Sequence, residues 1–168
     1  VRGKLRRPRT GWTGACNTGR LLTRPLEGVA FDDPEHPTCM DVLVTAAGAE
    51  AVEWPFRTEC CGASLSMTHP EVVGRLVHRL LGMAQEAGAN LVAVACPLCQ
   101  VNLDLRQADA AKGHGPLRPM PVLYVTQLLG LALGLPPEAL GIDPRTVGLD
   151  TPPADRTAGA IGAGGGIR

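Results

Sequence analysis

Leu91-Val92-Ala93-Val94-Ala95 runs straight into Cys96-Pro97-Leu98-Cys99. Five apolar residues without polar alternation mark a strand buried on both faces, which is the habit of parallel sheets. The C-x-x-C follows at once and opens a helix expected to run to about Lys112. A helix start presents unpaired N–H groups and the positive end of the dipole, and both favour thiolate. The spacing brings two sulfurs within reach of one metal. Alone it leaves open a zinc half-site, a thioredoxin-type dithiol and half of an iron–sulfur site.

Upstream, Val73, Leu76, Val77, Leu80, Leu81, Ala84 and Ala87 recur at helical spacing and stop at Gly88. Thr68 and Glu71 read as a capping box for that helix, with Pro70 in its first turn. Trp12 to Ala15 reads as a first strand ending at Cys16. Asp33-Pro34-Glu35 reads as a helix start, and that helix stops at Gly48. Ala51 to Trp54 is a second strand. Downstream, Met120 to Leu123 is a fourth, and Thr126 caps a helix ending near Gly134-Leu135-Pro136. Strands alternating with helices predict an α/β fold, a small parallel sheet flanked by helices. Such sheets hold ligands beyond the C-terminal strand ends. Cys16 follows the first strand, Cys60-Cys61 lies after the second and Cys96 follows the third. Three segments therefore deliver thiols to one sheet edge.

The 168 residues suit one domain with a real core. Hydrophobic residues make up 45% and aromatics only 3%, so that core is aliphatic. Net charge is zero, which gives a polyanion nothing to bind overall. The one basic run, Arg2 to Arg9, has no aromatics interleaved and reads as a solvated tail, so no nucleic-acid partner is expected. The longest apolar segment, Val122 to Leu135, carries Gln127 and falls short of the ~18 residues a span needs. It reads as a core helix, with partner docking as the alternative. No signal peptide is apparent, and six clustered cysteines suit metal or redox chemistry in a reducing, cytoplasmic location. The chain opens on Val1 rather than Met, as expected of a fragment or of a mispredicted start. Residues 1–11 are expected to be a disordered basic tail, 12–147 one cysteine-rich domain, and 148–168 a disordered Gly/Pro/Ala tail.

Cys60-Cys61-Gly62 carries more information than the C-x-x-C. Adjacent cysteines chelate one tetrahedral zinc poorly but can bind two different irons of a cluster. Gly62 permits positive φ or close backbone approach. Cys39, beside Met40 in a predicted helix, reads as a small core residue. His69 and His78 read as cap and surface residues. Asn102 and Asp104 either support the site or are exposed helix positions.

A cysteine, then Cys60-Cys61-Gly62, then Cys96-x-x-Cys99 resembles the cysteine-rich CCG domain, which occurs twice in the B component of heterodisulfide reductase. The resemblance covers roughly residues 21–147. It includes Leu21-Leu22-Thr23-Arg24-Pro25, Phe31 to Pro37, and Glu59-Cys60-Cys61-Gly62-Ala63-Ser64-Leu65. Ala95-Cys96-Pro97-Leu98-Cys99-Gln100-Val101-Asn102-Leu103-Asp104 is similar to the heterodisulfide reductase branch rather than the glycolate oxidase branch. The stretch from Pro121 to Pro136 resembles the C-terminal end of that component, hence its second CCG domain.

The resemblance implies a non-cubane [4Fe-4S] iron–sulfur cluster at the C-terminal strand ends, held by Cys16, Cys60, Cys61, Cys96 and Cys99. Asn17-Thr18-Gly19-Arg20 reads as an insertion after Cys16, a departure from the pattern. The implied activity is disulfide reduction in one-electron steps, within a complex containing a ferredoxin-like iron–sulfur subunit and a flavoprotein subunit. The amides near Gly62 and Ala63 and the helix start at Cys96 are donors toward the cluster. The alternatives are an electron-transfer subunit of glycolate, lactate or succinate oxidation, and a zinc-bound fold without catalysis.

Overall fold

In a computed structural model, residues 2–23 and 32–142 are described. The 148–168 segment lies outside them. Four strands form the middle layer: β1 (Thr13–Asn17), β2 (Glu50–Val52), β3 (Leu91–Val94) and β4 (Val122–Tyr124). Their order is β2-β1-β3-β4 and every pair is parallel. The connecting helices are α1 (Gly19–Thr23), α2 (Cys39–Ala46), α3 (Pro70–Glu86), α4 (Pro97–Leu105), α5 (Gln107–His114) and α6 (Val125–Ala132).

Side chains alternate across a strand, so β3 feeds two cores. Val92 and Val94 pack with Val73, Val77, Leu80 and Leu81 of α3 and Leu103 of α4. Leu91 and Ala93 pack with Met40 and Val44 of α2 and Leu128 and Leu131 of α6. The registers Asn17↔Val94 and Val94↔Tyr124 set those three residues in one row on the α3 side. The next row, Cys16↔Ala93 and Ala93↔Leu123, faces α2 and α6.

Several sequence expectations shift at their ends. β1 continues two residues past Ala15, to Asn17. α2 begins at Cys39 rather than at Asp33, because the acidic residues serve a turn ahead of it. Asp33 Oδ1 accepts from the amides of Glu35 and His36. Asp32 Oδ2 accepts from those of Thr38 and Cys39, so Asp32 satisfies the first helical amide from outside the helix. α3 is entered through His69, not through a Thr68 cap. The helix after Cys99 breaks at Arg106 into α4 and α5. α6 starts behind Tyr124, whose amide donates to Gln127 Oε1, so Thr126 is inside it rather than its cap.

The basic N-terminal run is also corrected. The amides of Arg6 and Arg7 both donate to the Ala132 carbonyl, and the Arg9 guanidinium donates to the Leu131 carbonyl. These are the last carbonyls of α6, which lack partners within the helix and carry its negative end. Arginines therefore have a physical reason to lie there. The Arg9 amide also donates to the Ala47 carbonyl behind α2.

Candidate metal centre

Three cysteines meet beyond the C-terminal ends of β1, β3 and β4. Cys96 follows β3 by one residue and precedes α4, with Pro97 in the first turn where its missing N–H costs nothing. One turn of α4 then buries Cys99. The loop after β2 returns Cys61 to the same place, also buried. Cys99 stands next to both Cys61 and Cys96. Cys61 Sγ lies 3.9 Å from the Leu98 carbonyl oxygen. Cys60, next in the chain, is exposed, and its sulfur accepts from the Gly62 amide at 3.4 Å.

The loop is held from several sides. Gly62 takes φ +75°, then Ala63–Leu65 form a 3-10 turn. Asn102 Nδ2, on α4, donates to the Cys61 carbonyl at 2.9 Å. Trp54 Nε1 donates to the Cys16 carbonyl, and the Arg79 guanidinium sits 4.8 Å over the Phe56 ring.

Cys61 and Cys99 behave as one proton-sharing pair. The Cys99 thiol donates to Cys61, which is pulled down to about 6 against its desolvation, helped by the Ala63 amide and Asn102. Cys99 keeps the proton and moves up, because its thiol is bonded to Cys61 and because it is buried. Tyr124 is raised by burial and then by the nearby charges of Cys96 and Cys99.

Cys16 is not among them. It lies on the α2 side of the sheet, and burial and the neighbouring Asp41 carboxylate both raise its pKa. The expectation that Cys16 joins the other thiols fails on strand alternation: β1 turns it away and turns Asn17 toward them. Cys39 belongs with the α2 group too. Among the described residues no three His, Cys, Asp or Glu side chains stand ready-made around a metal ion.

The histidines hold structure instead. His78 Nε2 lies 3.2 Å from the Gly115 carbonyl and its ring packs on His114. His69 is exposed beside Glu71. Asn102 and Asp104, open between support and exposure in the sequence, are both buried. Val125, Leu128 and Leu131 of α6 are buried as well, so this helix is core.

Residues 15–104, more than half of the 168, match the family model for the CCG cysteine-rich domain. The chain belongs to the CCG cysteine-rich domain family. It is 35% identical over 129 residues to the B component of the ferredoxin:CoB-CoM heterodisulfide reductase of Methanosarcina mazei, covering 75% of this chain and 43% of that one. It is 31% identical over 140 residues to the 8-methylmenaquinol:fumarate reductase membrane anchor subunit of Wolinella succinogenes, covering 83% and 49%. A protein of Archaeoglobus profundus, itself like the heterodisulfide reductase B component, is 33% identical over 109 residues, covering 64% and 36%. The chain spans about half the length, or less, of these curated relatives. A crystal structure of a hypothetical protein from Helicobacter pylori shares the fold at a TM-score of 0.61 and 14% identity, covering 82% of this chain and 24% of that one. No helix among the described residues is long and apolar enough to cross a membrane.

Proposed function

We propose that this CCG domain is an iron–sulfur electron-transfer subunit of a heterodisulfide-reductase-like complex, serving disulfide reduction by one-electron steps. The observation that carries the reading is the convergence of Cys61, Cys96 and Cys99, from two segments far apart in sequence, at one sheet edge. Soft thiolates suit iron–sulfur clusters. A small unfilled cradle lies against them: a Cβ built on Gly19 would stand 3.4 Å from Cys96 Cβ and 3.5 Å from Cys99 Sγ. The donor chemistry fits a cluster, and Cys60, Cys61, Cys96 and Cys99 would hold it. The non-cubane [4Fe-4S] form rests on the family resemblance.

A bound cluster supplies single electrons and iron with an affinity for sulfur. The chain's own share is different. The pull on the Cys61 proton readies a thiolate before any metal arrives. The Ala63 amide and Asn102 lie on the side of Cys61 that favours its thiolate, the kind of surroundings that tune a cluster. Exposed Cys60 gives the centre a solvent-facing side where a small disulfide or a partner subunit can approach. The partners in this reading are a ferredoxin-like iron–sulfur subunit and a flavoprotein subunit, in the cytoplasm.

The Wolinella relative, matched over 83% of this chain, favours a second reading, electron transfer toward a quinone-linked enzyme. Anaerobic reconstitution with iron and sulfide, followed by metal analysis and EPR, tests the shared core of both. A brown protein with several irons per chain, lost in Cys61→Ser and Cys99→Ser, supports it. A colourless protein carrying zinc overturns it. A small disulfide that alters the EPR signal favours the first reading over the second.

A further inference from the structure

β1 ends on Asn17, and its side chain is placed with unusual constraint. The residue is fully buried. Its Nδ2 donates to two backbone carbonyls of the cysteine loop, Phe56 at 3.3 Å and Glu59 at 3.2 Å. Turning the amide over would press its oxygen against both carbonyls, so these bonds fix which way Oδ1 points. Oδ1 is buried and has no hydrogen-bond partner. A buried acceptor left unmet is costly, and few survive without a purpose.

The direction in which Oδ1 points is the informative part. The position a Cβ on Gly19 would take lies 3.9 Å from Asn17 Oδ1, 3.5 Å from Cys99 Sγ and 3.4 Å from Cys96 Cβ. The orphan oxygen and the Cys99 sulfur therefore both border the small space that Gly19, having no side chain, leaves beside Cys96. The register puts Asn17 in one row with Val94 and Tyr124, the row from which β3 leads into Cys96. Cys16, one residue earlier, points through the opposite face to Asp41.

We propose that Asn17, rather than Cys16, is the contribution of β1 to the metal centre, its side-chain oxygen being a ligand to the iron held by Cys96 and Cys99. This rests on the cluster reading above and narrows it to a mixed ligand set. An amide oxygen is neutral, harder than thiolate and a weaker ligand for iron. A site with oxygen at this position carries one negative charge fewer than one with a further cysteine, and is easier to reduce.

Reconstitution of the full chain tests this with iron content, redox-poised EPR and a labelled amide. In the unsubstituted protein, asparagine labelled with 13C at Cγ should give an ENDOR coupling to the reconstituted centre. Asn17, Asn90 and Asn102 are the chain's asparagines. Asn90 is bonded to Thr13 at the far end of β1, and an Asn102→Ser control removes the other. Cys16→Ser should bind as much iron as the unsubstituted chain, with the same EPR signal. Asn17→Cys should bind iron and shift the reduction potential downward, and Asn17→Ala should change the EPR signal, its folding checked by circular dichroism. Iron loss in Cys16→Ser, with no labelled coupling and an unmoved potential in Asn17→Cys, overturns the inference and leaves the cluster reading standing. An unsubstituted chain that takes up no iron–sulfur centre overturns both.

Discussion

Asn102 Nδ2 donates to the Cys61 carbonyl oxygen across 41 residues of sequence, at 2.9 Å and out of contact with water. The helix that carries Cys99 is thereby tied to the loop that carries Cys61. Asn102→Ala leaves a buried carbonyl unmet, at a cost of about 1–3 kcal/mol. Asn102→Asp costs more, because it sets a carboxylate oxygen against the same carbonyl. Thermal unfolding of the metal-free variants should rank them in that order below the unsubstituted chain. Equal midpoints would refute the tie.

Gly62 holds φ +75°, and a Cβ there would come within 2.6 Å of Leu76 Cδ1. Gly62→Ala thus meets two penalties, a left-handed backbone of about 1–2 kcal/mol and a side-chain clash. The clash is with the tip of a flexible side chain, so Leu76→Ala in the same chain should relieve that part alone. The double variant is expected between Gly62→Ala and the additive sum of the two single changes in a denaturant titration. Strict additivity would mean that Leu76 already moves aside without cost.

The extent of what the sequence discloses follows from which forces are local. The apolar run at Leu91 and the helical period from Val73 to Ala84 report burial directly, and both elements stand where they were expected. So does the delivery of Cys61, Cys96 and Cys99 to one edge. What a composition of residues does not report is the parity of a strand end. Reading β1 as ending at Cys16 makes that thiol look aimed at the site, yet one further residue of pairing carries the strand on to Asn17. A polar residue directly after a candidate ligand, at the end of a buried strand, was the available signal. Likewise Asp33-Pro34 has the chemistry of a cap, but Asp32 reaches over the turn to the amides of Thr38 and Cys39. Arg6, Arg7 and Arg9 read as solvated because nothing in the local sequence names the end of α6 as their partner.

Arg57 links the cysteine loop to α2. Its Nη1 donates at 2.8 Å to both the Pro37 carbonyl and Asp41 Oδ2, with the side chains largely removed from solvent. Arg57→Met strands the Asp41 carboxylate beside Cys16. Removing one partner of a buried pair costs about 3–5 kcal/mol, and the remaining exposure here argues for the lower part of that range. Arg57→Met with Asp41→Leu should recover much of the loss, since an apolar pair of similar volume leaves no bare charge. Chemical denaturation of the single and double variants measures the cycle. A double variant no more stable than Arg57→Met would place the effect in the Pro37 bond instead.

The start of α2 gives the metal-free chain a dependence on pH with a worked sign. Burial raises the Asp32 carboxyl, but the Cys39 thiol and the amides of Cys39, Thr38 and Asp33 outweigh it and hold it below its ordinary 3.8. The folded state thus binds that proton less readily than the unfolded chain, so Asp32 stabilises above pH 3.8 and loses its contribution as the pH falls through its lowered value. Cys39 goes the other way: burial, its bond to Asp32 and that carboxylate's charge push it up to about 11 from 9.0. Its contribution is complete below pH 9 and disappears as the pH climbs toward 11. Cys39→Ser should therefore flatten the fall in unfolding midpoint between those two values while barely changing the acid limb. Asp32→Asn should flatten the acid limb, and should soften the alkaline one as well, because the carboxylate that holds the Cys39 proton is gone. Unchanged limbs in both variants would show that α2 does not couple to folding through this pair.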